Sequence, residues 1–359
     1  MINKKRLLNT FIDLVKIDSP SGQEEKIRDH IVEILTKLNG DIYKDGYGNL
    51  IAKFAGTGTP ILLNAHLDTV EPGRGVKPKI HKNKITSDGT TILGGDAKAG
   101  ISIILEALTC TVKDKIKTRP IEILLTREEE TSLGGAKNLD YSLLNATEGI
   151  VFDGDEQVFK LFISSPTYYN LDVDITGRSA HAGVEPEKGI SAIEIASKII
   201  SGLSLGRLDH ETTFNIGFIQ GGSVRNAVPD KTAFHGEIRS RNKKTLNKIL
   251  IQTEKLFNEF QKLYPESQIY LNLTKEFEGF LLNYDDKVLT KVSEVMKKMG
   301  MEPELKDSGG GSDANIFYEN GIQVLIVGTG VYEPHTTREY VKIDEMTQAA
   351  EFCLEFIKK

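Results

Sequence analysis

His66 and Asp68 stand one residue apart in "NAHLDTVEPG", directly after the apolar run Ile61, Leu62, Leu63. On a strand, residues i and i+2 point to the same face. An imidazole and a carboxylate therefore look the same way where a buried strand runs out. Taken alone, such a pair reads as a surface ion pair or a turn. The arrangement recurs, however. After "IEILLT" come Glu128, Glu129 and Glu130; after "GIVF" comes Asp153; after "VLIVGTG" comes "VYEPHTT" with His335. Asp96 sits in "TTILGGDAKAG", a Gly-rich stretch leading into a helical pattern. An acidic triplet by itself is ordinarily a solvated face, and a lone Asp153 a helix cap. The bland reading needs the same coincidence at four strand ends. Crowded carboxylates repel one another unless cations neutralise them or some take up protons. Two histidines among them point to a borderline-soft divalent metal such as zinc, rather than magnesium or calcium.

The elements that must position these residues alternate between helix and strand. Residues 3–17 carry Leu7, Leu8, Phe11, Leu14 and Val15 at helical spacing. "SPSGQEEKIRDHIVEILTKLNG" has the start and stop punctuation of a second helix. Strand-like runs follow at 48–54, 61–67, 121–126 and 149–153, with the helix "KAGISIILEALTC" between. Interleaved strands and helices imply an α/β domain with a mostly parallel sheet covered on both faces. In such sheets ligands bind beyond the carboxyl ends of the strands, where the carboxylates and imidazoles collect.

Around residue 167 the pattern changes. Strand, helix, two strands, helix and strand run from "YYNLDVDITG" to "SQIYLNLTKEFEG". That βαββαβ order predicts an α+β ferredoxin-like unit, inserted as residues 167–277 into a first domain made of 1–166 and 278–359. A helix near 285–299, the strand "IQVLIVGTG" and a terminal helix complete the first domain.

The 359 residues favour two domains over one core. A net charge of −6 argues against nucleic acid as a partner. No apolar run approaches the roughly 20 residues that span a bilayer, and the N-terminus lacks the pattern of a signal peptide. Cys110 and Cys353 fall in apolar helical patterns and read as packing residues. A cytoplasmic protein is expected.

The set "HLDTV", "TTILGGDAKAG", "LTREEETSLGGAK", "VFDGD", "GRSAHAGVEPEKG", "GGSVRNAVPD" and "SGGGSDAN", in that order, resembles the peptidase T-like branch of the di-zinc exopeptidases and deacylases. That family includes glutamate-type carboxypeptidases, aminoacylases and succinyl-diaminopimelate desuccinylase. The resemblance covers essentially the whole chain. It implies that His66, Asp96 and Asp153 bind one metal ion and that Asp96, Glu130 and His335 bind a second, with Asp96 bridging. The expected ions are zinc, with cobalt or manganese as substitutes. Such two-metal centres share a bridging carboxylate and a water made nucleophilic at neutral pH. Asp68 is similar to the carboxylate that orients the His66 imidazole. Counting back from Gly135, Ala136 and Lys137 selects Glu129 as general base and Glu130 as ligand, leaving Glu128 as the extra residue. In the inserted domain, His181 resembles the residue that stabilises the oxyanion when the domains close. Asn226 and Arg239 resemble substrate-binding residues, the guanidinium being suited to a terminal carboxylate. Read without the resemblance, His181 is a satisfied loop histidine. Two positions depart from the family pattern: Ser132 stands where glycine is usual, and Ala97 follows Asp96 where Asp or Asn is common.

The "SGGGSDAN" loop reads either as a carboxylate site built from backbone N–H groups or as a flexible turn. His30, His81, His210 and His235 read as structural. The resemblance implies an aminopeptidase that removes the first residue of tripeptides or other short peptides. A carboxypeptidase or N-acyl-amino-acid deacylase on the same metal site is the alternative. An inactive metal-binding module would be expected to lack a ligand or the base, and here none is missing. The edges of a ferredoxin-like sheet would allow a homodimer through the inserted domain.

Overall fold

The computed structural model describes residues 1–359. Four strands form the parallel centre of a nine-stranded sheet: β1 (Ile61–His66), β2 (Ile121–Thr126), β3 (Glu148–Gly154) and β4 (Gln323–Gly328). Their spatial order is β2, β1, β3, β4, with Ile61 opposite Ile121, Leu62 opposite Gly149 and Leu325 opposite Ile150. Every residue of β1 and β2 is buried. That explains why both are mostly apolar rather than alternating in pattern. Antiparallel strands, Leu50–Phe54 on one side and Lys160–Ser165 on the other, extend the sheet.

The helix α1 (Gly95–Lys113) is apolar almost all round because it is covered almost all round. It packs against the helices Lys4–Val15 and Ile343–Ile357 and against β1 and β3. Gly100 permits that approach. A Cβ there would fall 2.1 Å from the carbonyl oxygen of Phe152, on the strand that carries Asp153.

The chain forms two compact units. One is Met1–Ile163 with Leu281–Ser308 and Ser312–Lys359; the other is Ser164–Phe280 with Gly309–Gly311. In the second unit the strands Thr167–Thr176, Thr212–Gly221, Lys231–Ser240 and Gln268–Phe277 are antiparallel, with Gln268–Phe277 at one edge of the sheet. The helices Ala192–Gly202 and Lys243–Leu263 bury Ile195, Ile199 and Phe257 against Leu171, Val173, Phe234 and Ile238. This is the βαββαβ arrangement expected from the sequence, with a short extra strand, Gly206–Arg207, at the other edge. No helix is long and apolar enough to cross a membrane.

Candidate active site

His66 is the last residue of β1, and Asp153 is the penultimate residue of β3. Glu128, Glu129 and Glu130 follow β2, and His335 lies in the loop after β4. Asp96 stands at the entrance of α1 in a non-helical conformation, φ −80° and ψ 112°. The carboxyl ends of four strands and one helix entrance thus meet in one place within the first unit.

Asp96 lies at the centre. Its Oδ1 is 3.0 Å from His66 Nε2, and its Oδ2 is 3.2 Å from His335 Nε2. Asp153 Oδ1 is 3.3 Å from His66 Nε2, and Glu130 Oε1 is 2.9 Å from His335 Nε2. Two sets of possible metal ligands result, His66–Asp96–Asp153 and Asp96–Glu130–His335, each with its ligand atoms within 4.8 Å of one another. A third set, His66–Glu129–Glu130, overlaps both. All five carboxylate and imidazole residues of the first two sets are those expected from the sequence.

The acidic triplet is separated by geometry. Glu130 joins Asp96 and His335, and Glu129 is buried beside His66 and Asp153. Glu128 turns away, its Oε2 accepting a 2.9 Å hydrogen bond from the Tyr47 hydroxyl. What aims the three is a run of backbone hydrogen bonds to side-chain oxygens. Asn49 Oδ1 accepts the Arg127 N–H at 3.0 Å, and Glu24 Oε1 accepts the Glu128 N–H at 3.1 Å. Asp68 accepts the Glu129 N–H at 3.0 Å on one oxygen and the Glu130 N–H at 3.2 Å on the other. Four successive amides that have no sheet partner are thereby satisfied. Asp68 also accepts the Ser21 hydroxyl at 2.6 Å. Its backbone carbonyl, 2.9 Å from His66 Nδ1, is closer to the ring than its carboxylate at 3.3 Å. Asp68 thus orients the imidazole mainly through its main chain, while its side chain holds the glutamate turn. Ser21, Glu24 and Asn49 gave no signal in the sequence, since each lies far along the chain from the turn it supports.

The electrostatics favour bound positive charge. Burial opposes charge on His66, but hydrogen bonds to Asp153, Asp68 and Asp96 outweigh it and raise its pKa well above the usual value. Hydrogen bonds to Asp96 and Glu130 push His335 up to about 10. Burial and the neighbouring Asp96 charge raise Asp153 well above the carboxylate range, and burial together with Asp153 does the same for Glu129. Carboxylates gathered around two imidazoles in this way would be neutralised by divalent cations. Histidine nitrogen and carboxylate oxygen suit zinc and its neighbours.

The model of peptidase family M20/M25/M40 matches residues 62–359. The chain belongs to that family. Aminopeptidase PepT of Bacillus cereus superimposes with a TM-score of 0.91 at 36% identity, covering 99% of this chain and 98% of that one. A tripeptidase of Staphylococcus aureus gives a TM-score of 0.95 at 34% identity, covering 100% and 98%. Among curated sequences, the uncharacterised protein YqjE of Bacillus subtilis is 38% identical over 371 residues, covering 100% and 99%. The protein is a metallo-exopeptidase of the M20 family, and its α/β core with an α+β unit is the fold expected.

Within this M20 peptidase, the departure at Ser132 has a structural cost. Ser132 adopts φ +65° and Leu133 φ +59°, in the left-handed region where glycine is at ease. Ala97 is buried and removes no ligand. The "SGGGSDAN" stretch is not a row of unused donors. Ser312 caps the short helix Asp313–Glu319, and Asn315 returns a bond to the Ser312 N–H at 3.1 Å. In the second unit, His181 and Asn226 are neighbours: the Ala182 N–H donates to the Asn226 carbonyl at 3.0 Å, and His181 bridges to Ala227. Arg239 is not with them. It lies near the far end of Lys231–Ser240, clamped by Glu237 at 3.1 and 2.8 Å and stacked over Tyr168 at 4.5 Å.

Proposed function

We propose that this M20 peptidase is a di-metal aminopeptidase that removes the N-terminal residue from tripeptides or other short peptides. The observation that carries the metal reading is the position of Asp96, with one oxygen toward His66 and the other toward His335. His66, Asp96 and Asp153 would hold one cation, and Asp96, Glu130 and His335 the other. The donor set favours zinc, with cobalt or manganese able to replace it. Bound cations would polarise the scissile carbonyl and make water acidic enough to attack at neutral pH. Glu129 then takes a proton from the attacking water and returns it to the leaving amine. Glu129 is buried beside His66 and Glu130, the position from which a base can reach water held between the ligands. Asp68 keeps Glu129 and Glu130 aimed through their main chain. Substrate binding by His181, Asn226 and Arg239 belongs to the same proposal and rests on the resemblance.

Likeness to the Bacillus cereus aminopeptidase and the Staphylococcus aureus tripeptidase supports the aminopeptidase reading over a carboxypeptidase or deacylase. The test is a matched panel on the zinc-loaded protein: a free tripeptide, its N-acetylated and C-amidated forms, and an N-succinyl amino acid. Release of the first residue from the free tripeptide alone is expected. Release of the last residue, or hydrolysis of the acylated compounds, would move the protein to the alternative on the same metal site. No turnover with two cations bound would mean an inactive binding module. A homodimer through the outer edge of Gln268–Phe277 is part of the proposal. Sedimentation velocity tests it, and a monomer at micromolar concentration would exclude it.

A further inference from the structure

We propose that Glu339 is a positioning residue for the metal centre: its buried carboxylate holds the loop that presents Asp96 and ties it to the loop that presents His335. The proposal rests on the two-cation reading above. Glu339 lies four residues beyond His335 and is 1% exposed. One carboxylate oxygen accepts the Leu93 N–H at 2.7 Å and the Gly94 N–H at 2.8 Å; the other accepts the Asp96 N–H at 3.1 Å. These are contacts across 243 to 246 residues of sequence.

Leu93 and Gly94 precede α1 and Asp96 lies in its first turn, where amides have no intrahelical partner. Asp96 is itself non-helical, so the helix ladder does not fix its orientation. Glu339 supplies that constraint. The fit is close: a Cβ on Gly95 would fall 2.9 Å from the Glu339 carboxylate and 2.8 Å from Val341. Only glycine lets the loop approach. On the other side, the Glu339 N–H closes a turn onto the Thr336 carbonyl at 3.0 Å, next to His335. A buried carboxylate is costly unless hydrogen-bonded. Here its acceptors are turned to the main chain around one metal ligand, while its own backbone anchors the loop of another.

Asp96 serves both cations, but the second takes two of its three ligands, Asp96 and His335, from the segments that Glu339 ties together, whereas the first takes only Asp96 there and has His66 and Asp153 from β1 and β3. Loss of the Glu339 contacts should therefore weaken the second cation more than the first. Outer partners of metal ligands typically contribute about 10- to 100-fold in affinity. Glu339→Gln is nearly isosteric. Its oxygen can still accept from Leu93 and Gly94, but its amide N–H₂ then faces the Asp96 N–H, donor against donor.

The experiment is titration of the cation-free full-length protein with cobalt(II), followed by visible absorption, for wild type, Glu339→Gln, Glu339→Asp and His335→Ala. Two steps are expected for wild type, and loss of the weaker step for His335→Ala. Glu339→Gln should keep the first step and weaken the second by about 10- to 100-fold. Glu339→Asp, which keeps both acceptor oxygens on a shorter stem, should recover part of that loss. If Glu339→Gln titrates as wild type, or loses both steps equally with a lower melting temperature, the positioning role is overturned. A wild type that takes up fewer than two cobalt ions would instead remove the two-cation reading and this proposal with it.

Discussion

Glu129 and Glu130 are adjacent in sequence but meet different neighbours, Glu130 joining Asp96 and His335 and Glu129 lying beside His66 and Asp153. Replacing Glu129 with Ala should reduce turnover to background while leaving cation content at two per chain by elemental analysis. Full activity in that variant would remove it as the general base. Asp313 gives a second expectation. It is 1% exposed, accepts a hydrogen bond from the Thr126 hydroxyl, and burial pushes it up to about 6 from an ordinary 3.8. Its protonated form is the one the fold favours. The associated stability is fully present below pH 4 and lost as pH rises to 6, by about 3 kcal/mol. Asp313→Asn keeps an acceptor for Thr126 and cannot ionise. The difference in urea-unfolding stability between variant and wild type should grow in the variant's favour across that window, and a pH-independent difference would contradict the assignment.

At the scale of elements, the strands deliver residues and the turns aim them. The turn after β2 is the exacting one, since it holds three non-glycine residues, Glu128, Ser132 and Leu133, at positive φ. Ser132→Gly should relieve left-handed strain, offset in part by the greater freedom glycine gives the unfolded chain. A net gain of about 0.5 kcal/mol is expected in denaturant unfolding, with kcat unchanged. A loss of stability would show that the Ser132 side chain contributes something the strain argument omits. Much at this scale was legible beforehand. The runs at 61–67, 121–126 and 149–153 correspond to strands Ile61–His66, Ile121–Thr126 and Glu148–Gly154 because buried parallel strands are apolar on both faces. The short hairpin Lys79–His81 and Lys84–Thr86 carries a much weaker signal, being mostly exposed and too short for a period.

For the whole molecule, cations that bind only the folded chain should stabilise it by mass action. Chelation should lower the melting temperature. Each tenfold rise in free zinc above the dissociation constant should add about 1.4 kcal/mol per site. A melting temperature indifferent to chelator would argue that the site is empty in solution. The sequence by itself determined the α/β alternation, the switch to βαββαβ near residue 167, and which strand ends carry imidazole or carboxylate. Those features are written in hydrophobic period and local order, which short stretches of chain express unaided. Asp96 between the two histidine sets and Glu128 as the spare glutamate were expectations of the family resemblance. Only the tertiary structure decided that Asp68 meets His66 chiefly through its carbonyl while its carboxylate holds the glutamate turn, and that Arg239 lies apart from His181 and Asn226. It also brought Glu24, Asn49 and Glu339 to main-chain donors distant in sequence. Such contacts depend on how buried amides find acceptors after the chain has packed, and no local pattern of residues encodes that choice.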